Sequence, residues 1–458
     1  MTNLPAETIA AISTPPAVGG ISVLRISGPR AIEAADCVFR TVSGTPLSAH
    51  KGYTAAYGTV FDGGEPVDDA IATVFRAPKS YTGEDVVEIS CHGGLYVTRR
   101  VLMAILKQDV SMAQPGEFTK RAFLNGKMTL TEAEAVADLI QAGGEQSLRS
   151  ARSAMQGELY RKIRAMTERM LAVSGHIAAF LDYPEEEIDP VESHEIADSI
   201  EAVRAELQTL LDSFDQGRMI REGIETVILG KPNVGKSTLM NLLAGARKSI
   251  VTDIPGTTRD VVEETVRLDG LVLRLADTAG IRDTSDLVEQ AGVALAWERL
   301  ESAQLILAVF DSSSPLSEED RLLMDRIQNL PVVAVCNKSD ISGGLEIEEL
   351  RQRFSHVVEI SARENQGVEL LSEAVRDVLS LCHIDPSSAM LANMRQFECA
   401  QRAAQRLAEA QQTLEAGFTL DAVDVSLEDV IASLLELTGE RVTDAVVDQV
   451  FSHFCVGK

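Results

Sequence analysis

The chain of 458 residues is too long for one ordinary hydrophobic core, so we expect two to four domains. Hydrophobic residues make up 45% and charged residues 24%, which is typical of a soluble globular protein, and no apolar run approaches the roughly 18 residues that a membrane span needs. The net charge of −27 excludes a protein that wraps nucleic acid over most of its surface, because the phosphates would be repelled.

Three further features of the whole chain narrow its class. Residues 1–11 place no basic residue ahead of their apolar stretch, so no secretory signal is predicted and we expect a cytoplasmic protein. The six cysteines never occur in a Cys-x-x-Cys spacing, which argues against a zinc site or a disulfide framework. An RNA partner would need a local basic patch, and residues 118–170 carry nine basic residues against six acidic ones. Charge alone favours the alternative that these are solvated helix faces.

Residues 1–118 are predicted to form a mixed α/β region, because short β-rich runs alternate with Gly and Pro and with one helical stretch. The strands are predicted at 21–26, 70–75 and 86–90, and the helix at 95–107.

Residues 119–222 are predicted to form long helices of a bundle. Ala, Glu, Arg and Leu dominate there, and apolar residues recur at helical period. Thr131, followed by Glu134 ahead of an apolar stripe, is typical of a capping box.

Residues 223–380 return to strands that alternate with helices, which predicts a mostly parallel sheet with helices on both faces. The strands are predicted at 226–230, 261–268, 272–277, 305–311, 331–337 and 357–361. Residues 381–458 are helical again, from residue 387 onwards. The simplest architecture is a helical domain made from both flanks, with the α/β module inserted between them.

The first chemical motif is a phosphate-binding loop. Residues Gly230-Lys-Pro-Asn-Val-Gly-Lys-Ser237 fit G-x-x-x-x-G-K-[ST] between a predicted strand and a predicted helix. Glycines let the backbone curl so that successive N–H groups point at phosphate oxygens. Lys236 is expected to reach the β- and γ-phosphates, and Ser237 to bind Mg²⁺. The other predicted phosphate-binding residues of the loop are Val234, Gly235 and Thr238.

A second motif, Asp277-Thr278-Ala279-Gly280, closes a predicted strand. Asp277 would hold Mg²⁺ through water, and Gly280 would donate its N–H to the γ-phosphate. Between these two motifs lies Thr257-Thr258, where a switch loop is expected to supply a threonine to Mg²⁺.

Two later motifs specify guanine. Asn337-Lys338-Ser-Asp340 follows a predicted strand, and Asp340 would accept hydrogen bonds from two donors on guanine, a pair that adenine lacks. Ser361-Ala362-Arg363 would place a backbone amide on the guanine O6. Four motifs in this order predict a guanine-nucleotide-binding protein that hydrolyses GTP.

Hydrolysis needs a water in line with the γ-phosphate, and many GTPases hold it with a Gln directly after the second motif. Here that position is Ile281, which cannot orient water. Asn233 in the phosphate loop has a side-chain oxygen that would suit a monovalent cation, completed by residues 252–257. The alternative is that Asn233 is an ordinary turn residue.

These motifs, together with the segment 114–127 and the tail Phe454-Cys-Val-Gly-Lys458, resemble the MnmE (TrmE) family of bacterial tRNA-modifying GTPases. The resemblance runs from residue 8 to the last residue. It implies a multidomain α/β plus all-α fold in four segments. These are an α/β tetrahydrofolate-binding and dimerisation domain (1–118), a helical domain (119–222 and 381–458) and an inserted P-loop G domain with a Ras-like sheet (223–380).

The resemblance also implies a function. Members are potassium-dependent GTPases that work as homodimers with an FAD protein, MnmG, expected to form a heterotetramer with no membrane component. Together they install a carboxymethylaminomethyl or aminomethyl group at C5 of the tRNA wobble uridine. A tetrahydrofolate derivative (5-formyl or 5,10-methylene) supplies the one-carbon unit, and FAD belongs to the partner only.

Position by position, the resemblance implies a set of ligands and one acid that positions water. The K⁺ ligands fall on Asn233, Thr252, Ile254 and Thr257, the Mg²⁺ ligands on Ser237 and Thr258, the water-positioning acid on Glu289, and the folate contacts on Arg25, Glu88, Lys127 and Lys458. Without the resemblance, Glu289 would be read as a solvated helix residue, and Arg25 and Glu88 as strand surface. Cys455 is a candidate catalytic thiol, with packing or positioning as the alternative.

The residues alone are also compatible with two other functions. One is a GTPase switch that binds RNA or ribosomes without chemistry of its own, although such proteins usually end in a basic RNA-binding module and this chain is acidic. The other is a structural dimer whose N-terminal region only holds a partner. Binding of a reduced folate by residues 1–118 separates the modification enzyme from both.

Overall fold

The computed structural model describes residues 7–182, 192–245, 264–276, 300, 303–341, 343–382 and 385–457. The chain divides into two compact units, each assembled from separate segments. The first comprises Met1–Ala137, Tyr160–Glu201 and Arg402–Lys458, and the second comprises Asp138–Leu159 and Ala202–Gln401. The four-segment domain division stays a prediction.

The first unit contains a mixed sheet with strand order β3-β4-β5-β6-β2-β1-β7. Its strands are β1 (Ile9–Ile12), β2 (Ile21–Ser27), β3 (Phe39–Thr41), β4 (Thr54–Asp62), β5 (Glu65–Phe75), β6 (Val86–His92) and β7 (Ser111–Met112). β1 and β7 run parallel, and the other neighbouring pairs are antiparallel. The three strands predicted here lie within β2, β5 and β6 and are confirmed.

Alternation along β2 places its side chains on two different faces of this sheet. Leu24 and Ile26 are buried in a core that also holds Val101 from the helix Leu95–Leu106. Arg25, between them, therefore points to the opposite face, directly across from Glu88 in the β2–β6 register.

The second unit contains a sheet with strand order β13-β12-β11-β8-β10-β9. Its strands are β8 (Ile224–Leu229), β9 (Glu264–Leu268), β10 (Leu271–Ala276), β11 (Leu305–Asp311), β12 (Val332–Asn337) and β13 (Val357–Glu359). Only β9 and β10 pair antiparallel among these described strands, so the predicted mostly parallel sheet is confirmed.

Successive residues of the central strands supply cores on both faces of this sheet. Val309 packs with Leu239 and Leu371 from helices on one face, whereas Phe310 packs with Met324 from a helix on the other. This confirms the prediction of helices on both faces. The carboxyl ends of β8, β11 and β12 meet at one edge, where ligands bind in open α/β sheets.

The described helices account for most of the rest of the two units. In chain order they are Ala31–Val38, Leu95–Leu106, Glu117–Leu124, Leu130–Gln141, Glu145–Met155, Glu158–Asp182, Ser193–Asp212, Phe214–Glu222, Lys236–Gly245, Glu318–Ile327, Ile347–Arg353, Val368–Val378, Met394–Glu415, Leu420–Thr438 and Asp444–Ser452. Among the described residues, no helix is both long and apolar enough to cross a membrane.

Two predicted helix starts are wrong. Thr129, not Thr131, caps the helix Leu130–Gln141: its hydroxyl accepts from Glu132 N at 3.3 Å, and its own N–H donates to Glu132 Oε2 at 2.7 Å. Both Thr-x-x-Glu spacings fit the motif, but Thr131 is the second residue of the helix, and its hydroxyl lies 3.1 Å from that of Thr129. The last helical stretch begins at Met394 and not at residue 387, because Asp385 accepts from Ser387 in a turn.

Candidate functional site

The phosphate loop runs from the end of β8 into the next helix and turns sharply. Gly230, Asn233 and Gly235 have positive φ angles of 145°, 67° and 97°. A Cβ atom on Gly230 would lie 2.4 Å from the carbonyl oxygen of Val309, and one on Gly235 would lie 2.2 Å from Asn337 Nδ2. The two motif glycines are therefore required by close approach as well as by backbone conformation.

The side chains of the loop divide between the core and the open side. Val234 is buried in the core below the sheet edge. Lys236 donates from Nζ to the carbonyl oxygens of Gly230 (2.5 Å) and Lys231 (2.7 Å), which holds its ammonium over the loop. Ser237 and Thr238 are exposed in the first helical turn, where the N–H groups and the helix dipole favour an anion.

Asn337 joins three of the predicted motifs. Its Nδ2 donates to the carbonyl oxygen of Val234 at 2.9 Å, and its Oδ1 accepts from the backbone N–H of Ala362 at 3.0 Å. The side chain is buried, so both hydrogen bonds are shielded from water. The structure thus brings together the phosphate loop and both guanine motifs.

The acid predicted to read guanine is held by a neighbour in the last motif. Ser361 donates from Oγ to Asp340 Oδ1 at 2.6 Å and accepts from the backbone N–H of Glu364 at 3.2 Å. Ala362 is buried, whereas the side chain of Arg363 is 83% exposed. The serine therefore orients the Asp340 carboxylate, and Arg363 contributes backbone rather than side chain to this edge.

Asp311, at the end of β11, is a residue of this site that the motifs did not predict. Lys338 bridges its Oδ2 (2.5 Å) and the carbonyl oxygen of Asn233 (2.8 Å), so it ties the guanine motif to the phosphate loop. Burial raises the pKa of Asp311, but hydrogen bonds from Lys338 and Ser313 outweigh burial and lower the pKa below the ordinary carboxyl value. Its only sequence signal is a polar residue closing a predicted parallel strand.

Several predicted residues lie outside the described residues. They are Thr252, Ile254, Thr257, Thr258, Asp277, Thr278, Ala279, Gly280, Glu289 and Lys458.

In the first unit, Arg25 and Glu88 form an ion pair on the open face of the sheet. Arg25 donates from Nε to Glu88 Oε1 at 2.9 Å, with its NH2 atom 2.8 Å from the same oxygen. The guanidinium also lies 5.2 Å from the ring centre of Tyr81 and 5.5 Å from that of Phe118. The two side chains are only 13% and 27% exposed, so this is a partly buried polar site with aromatic walls.

The C-terminal tail reaches the same site. The carbonyl oxygen of Gly457 accepts from Ser13 Oγ at 3.1 Å and from an Arg25 NH1 group at 3.5 Å. Cys455 is exposed, and its carbonyl accepts from the N–H of Gly116 at 3.3 Å. Lys127 donates from Nζ to the carbonyl of Pro78 at 3.1 Å, and no contact joins it to Arg25 or Glu88 among the described residues.

Arg121 corrects the predicted basic patch. Its side chain is only 1% exposed and is held by Glu84, Glu117 and the carbonyl oxygen of Glu7. It therefore cannot contact RNA from the surface. Lys120 is also paired, with Asp448 at 2.5 Å. Arg121 therefore serves the fold, and it is neither part of a surface patch for RNA nor a solvated helix residue.

Comparison with known proteins agrees with these motifs over the whole chain. A family profile described as "MnmE helical domain" matches residues 130–455, and one described as "GTP-binding protein TrmE N-terminus" matches residues 8–127. The chain belongs to the MnmE family.

Relatives named "tRNA modification GTPase MnmE" align over 99% of this chain. That of Carboxydothermus hydrogenoformans is 42% identical over 458 residues and that of Clostridioides difficile 38% over 455, each covering 99% of the relative. That of Bacillus subtilis is 39% identical over 458 residues and is covered over 100% of its length. This MnmE-family protein therefore binds GTP and is a GTPase that acts in tRNA modification, as the sequence predicted.

Proposed function

We propose that this member of the MnmE family is a potassium-dependent GTPase that modifies C5 of the tRNA wobble uridine together with an FAD protein of the MnmG type. The product carries a carboxymethylaminomethyl or aminomethyl group, and a tetrahydrofolate derivative supplies the one-carbon unit. The chain acts as a homodimer within a heterotetramer, and FAD is held by the partner.

The observation that carries the nucleotide half of this proposal is the convergence of separate motifs on Asn337. In the proposed site the loop amides and Lys236 bind the phosphates, and Asp340 accepts from the guanine edge. Ser237 and Thr258 are proposed to hold Mg²⁺, which neutralises phosphate charge. The exposed hydroxyl of Ser237 at the first helical turn fits that role.

The potassium site is proposed at Asn233 with Thr252, Ile254 and Thr257. Asn233 is exposed, and its carbonyl oxygen is engaged by Lys338, so its side-chain oxygen is the group available to a cation beside the phosphates. Such an ion would supply the positive charge that an arginine finger supplies in other GTPases. Glu289 is proposed to position the attacking water, since Ile281 cannot.

The folate is proposed to bind at Arg25, Glu88, Lys127 and Lys458. The residues present suit this ligand. A carboxylate accepts from the amino and ring N–H groups of a pterin, and cations attract the glutamate tail. Both contacts from Arg25 use Oε1 of Glu88, so Oε2 is the oxygen that would accept from the pterin. Cys455 lies in the tail that reaches this site, either as a catalytic thiol or as a positioning residue.

Steady-state GTP hydrolysis in KCl and in NaCl at equal ionic strength tests the nucleotide half of the proposal. We expect hydrolysis to be fast in KCl and at least tenfold slower in NaCl, and Glu289→Ala to lose turnover in both salts with nucleotide binding kept. Equal rates in the two salts would rule out the potassium mechanism and favour a switch GTPase that awaits an external activator.

Binding of 5-formyltetrahydrofolate, measured by calorimetry, tests the other half. We expect Glu88→Gln to weaken binding about tenfold, because a carboxylate acceptor of charge-assisted hydrogen bonds is lost. If the wild-type chain binds no reduced folate, the folate half of the proposal fails, whereas the assignment of the chain as a GTPase stands.

A further inference from the structure

The second residue of the phosphate loop, Lys231, has a side chain that leaves the loop and reaches a neighbouring helix. Its Nζ lies 2.6 Å from Asp320 Oδ2 and 2.9 Å from Ser317 Oγ. Ser317 is the N-cap of the helix Glu318–Ile327, and Asp320 is its third residue. The Asp320 side chain is 4% exposed and that of Lys231 is 25% exposed, so the pair is largely shielded from water.

The buried carboxylate of Asp320 depends on Lys231 for its counter-charge. Its Oδ2 accepts from the N–H and the hydroxyl of Ser317, both at 2.9 Å, and also receives Lys231. In the described part of the chain its buried Oδ1 has no hydrogen-bond partner. A buried carboxylate with one unsatisfied oxygen is destabilised strongly when its counter-charge is removed.

The backbone of the same residue touches the phosphate-binding lysine. The carbonyl oxygen of Lys231 accepts from Lys236 Nζ at 2.7 Å. A continuous chain of contacts therefore runs from the helix cap through Lys231 to the ammonium that meets the phosphates. Two positions on, Asn233 is fixed through Lys338 to Asp311, at the other end of the same β11-to-helix connection.

From this geometry we infer that Lys231 and Asp320 are positioning residues for nucleotide binding. The pair braces the first half of the phosphate loop against the helix cap, so that the loop amides and Lys236 stand in their binding positions before the nucleotide arrives. Preorganisation of this kind raises affinity because less ordering is required on binding. The inference rests on the assignment of residues 230–238 as the phosphate loop.

The test is a double-mutant cycle with Lys231→Met, Asp320→Asn and the double variant, in the full-length chain. We measure the affinity for fluorescent GDP together with KM and kcat for GTP in KCl. Each single variant should raise the GDP Kd and the GTP KM about tenfold and leave kcat within about twofold, because ground-state and transition-state binding are lost together. The double variant should be no worse than either single one, and Lys231→Arg should restore most of the affinity.

Asp325→Asn is the matched control, because Asp325 is an aspartate on the same helix that is 57% exposed and pairs with Arg353 in place of Lys231. It should leave the GDP affinity unchanged. If Lys231→Met does not fold, Asp320→Asn carries the test, since an amide oxygen can still accept from the N–H and hydroxyl of Ser317. Unchanged Kd and KM in either single variant, or additive losses in the double variant, would overturn the inference.

Lys236→Ala is measured in the same series. If Lys236→Ala also binds GDP normally, the assignment of the phosphate loop fails, and not only the role of Lys231.

Discussion

Asn337 is the residue at which the nucleotide site is joined, because its amide satisfies a donor and an acceptor from two other segments. Removing a buried amide leaves both partners unpaired, and each unpaired buried polar group costs about 1–3 kcal/mol. The connection between the phosphate loop and the last guanine motif therefore depends on this side chain, and that dependence can be measured.

We predict that Asn337→Ala weakens GDP binding by tenfold or more, because the loop carbonyl of Val234 and the N–H of Ala362 lose their common partner. Fluorescent-GDP titration measures the loss. Asn329→Ala, an exposed asparagine in the same unit, is the control and should bind normally. Equal affinity in both variants would show that Asn337 does not organise the site.

The lowered pKa of Asp311 makes a pH prediction. Because the folded-state pKa lies below the ordinary carboxyl value of about 4, ionised Asp311 stabilises the fold above that pH, and the contribution is lost as pH falls through the folded pKa. Thermal unfolding of wild type and Asp311→Asn should therefore differ at pH 7, and the difference should shrink below pH 4. A difference that stays constant over that range would contradict the assignment.

At the scale of elements, the hairpin of β9 and β10 packs against the start of the helix Glu145–Met155. The N–H of Gln146 donates to the carbonyl oxygen of Gly270 at 3.5 Å. A Cβ atom on Gly144 would lie 2.7 Å from that oxygen and 3.0 Å from Val272 Cγ2. The hairpin thus packs against a helix of the same unit. In the sequence, the hairpin lies between the predicted nucleotide-binding residues at 252–258 and those at 277–280.

We predict that Gly144→Ala displaces this hairpin, destabilises the contact by about 1–3 kcal/mol and speeds amide exchange in residues 264–276. Hydrogen exchange followed by mass spectrometry reads this directly. Gly175→Ala is the control, because that glycine lies in the helix Glu158–Asp182 with nothing near its missing Cβ. It should leave exchange at 264–276 unchanged and stabilise its helix by up to about 1 kcal/mol. Unchanged exchange in Gly144→Ala would contradict the packing.

Sequence predicted the second sheet better than the first, for a physical reason. The parallel strands are continuous apolar runs, so β8, β11 and β12 stand out without their neighbours. β4 was not predicted, because its first half carries two Ala and one Gly, which are depleted in strands and interrupt the run of strand formers. The fold requires glycine at position 58, because a Cβ atom there would lie 2.2 Å from the carbonyl oxygen of Arg40 on β3. This constraint comes from tertiary structure and not from local sequence.

The residues of the candidate sites also differ in how far sequence could predict them. The nucleotide motifs are contiguous, so their residues were found by spacing. Arg25 and Glu88 are 63 positions apart, and Lys231 and Ser317 are 86 apart. No periodicity links such residues, and only the family resemblance pointed to the first pair. Contacts of this kind are made by the fold, and the sequence pattern carries no trace of them.

On the scale of the whole molecule, each unit holds one candidate site, and the C-terminal tail belongs to the first. Gly457 has a φ of 96°, and a Cβ atom there would lie 2.3 Å from the carbonyl oxygen of Ile12. An alanine at this position would therefore push the tail away from Ser13 and Arg25. The predicted nucleotide-binding residues lie in the other unit, so we expect the change to affect the folate site alone.

We predict that Gly457→Ala weakens binding of 5-formyltetrahydrofolate tenfold or more and leaves kcat and KM for GTP within about twofold. Calorimetry and steady-state hydrolysis on the same preparation measure the two effects. Val456→Ala is the control, because that side chain is 45% exposed and its truncation should change neither quantity. If Gly457→Ala binds the folate normally, the folate site does not include the tail. If Gly457→Ala also loses GTP turnover, the two sites are coupled.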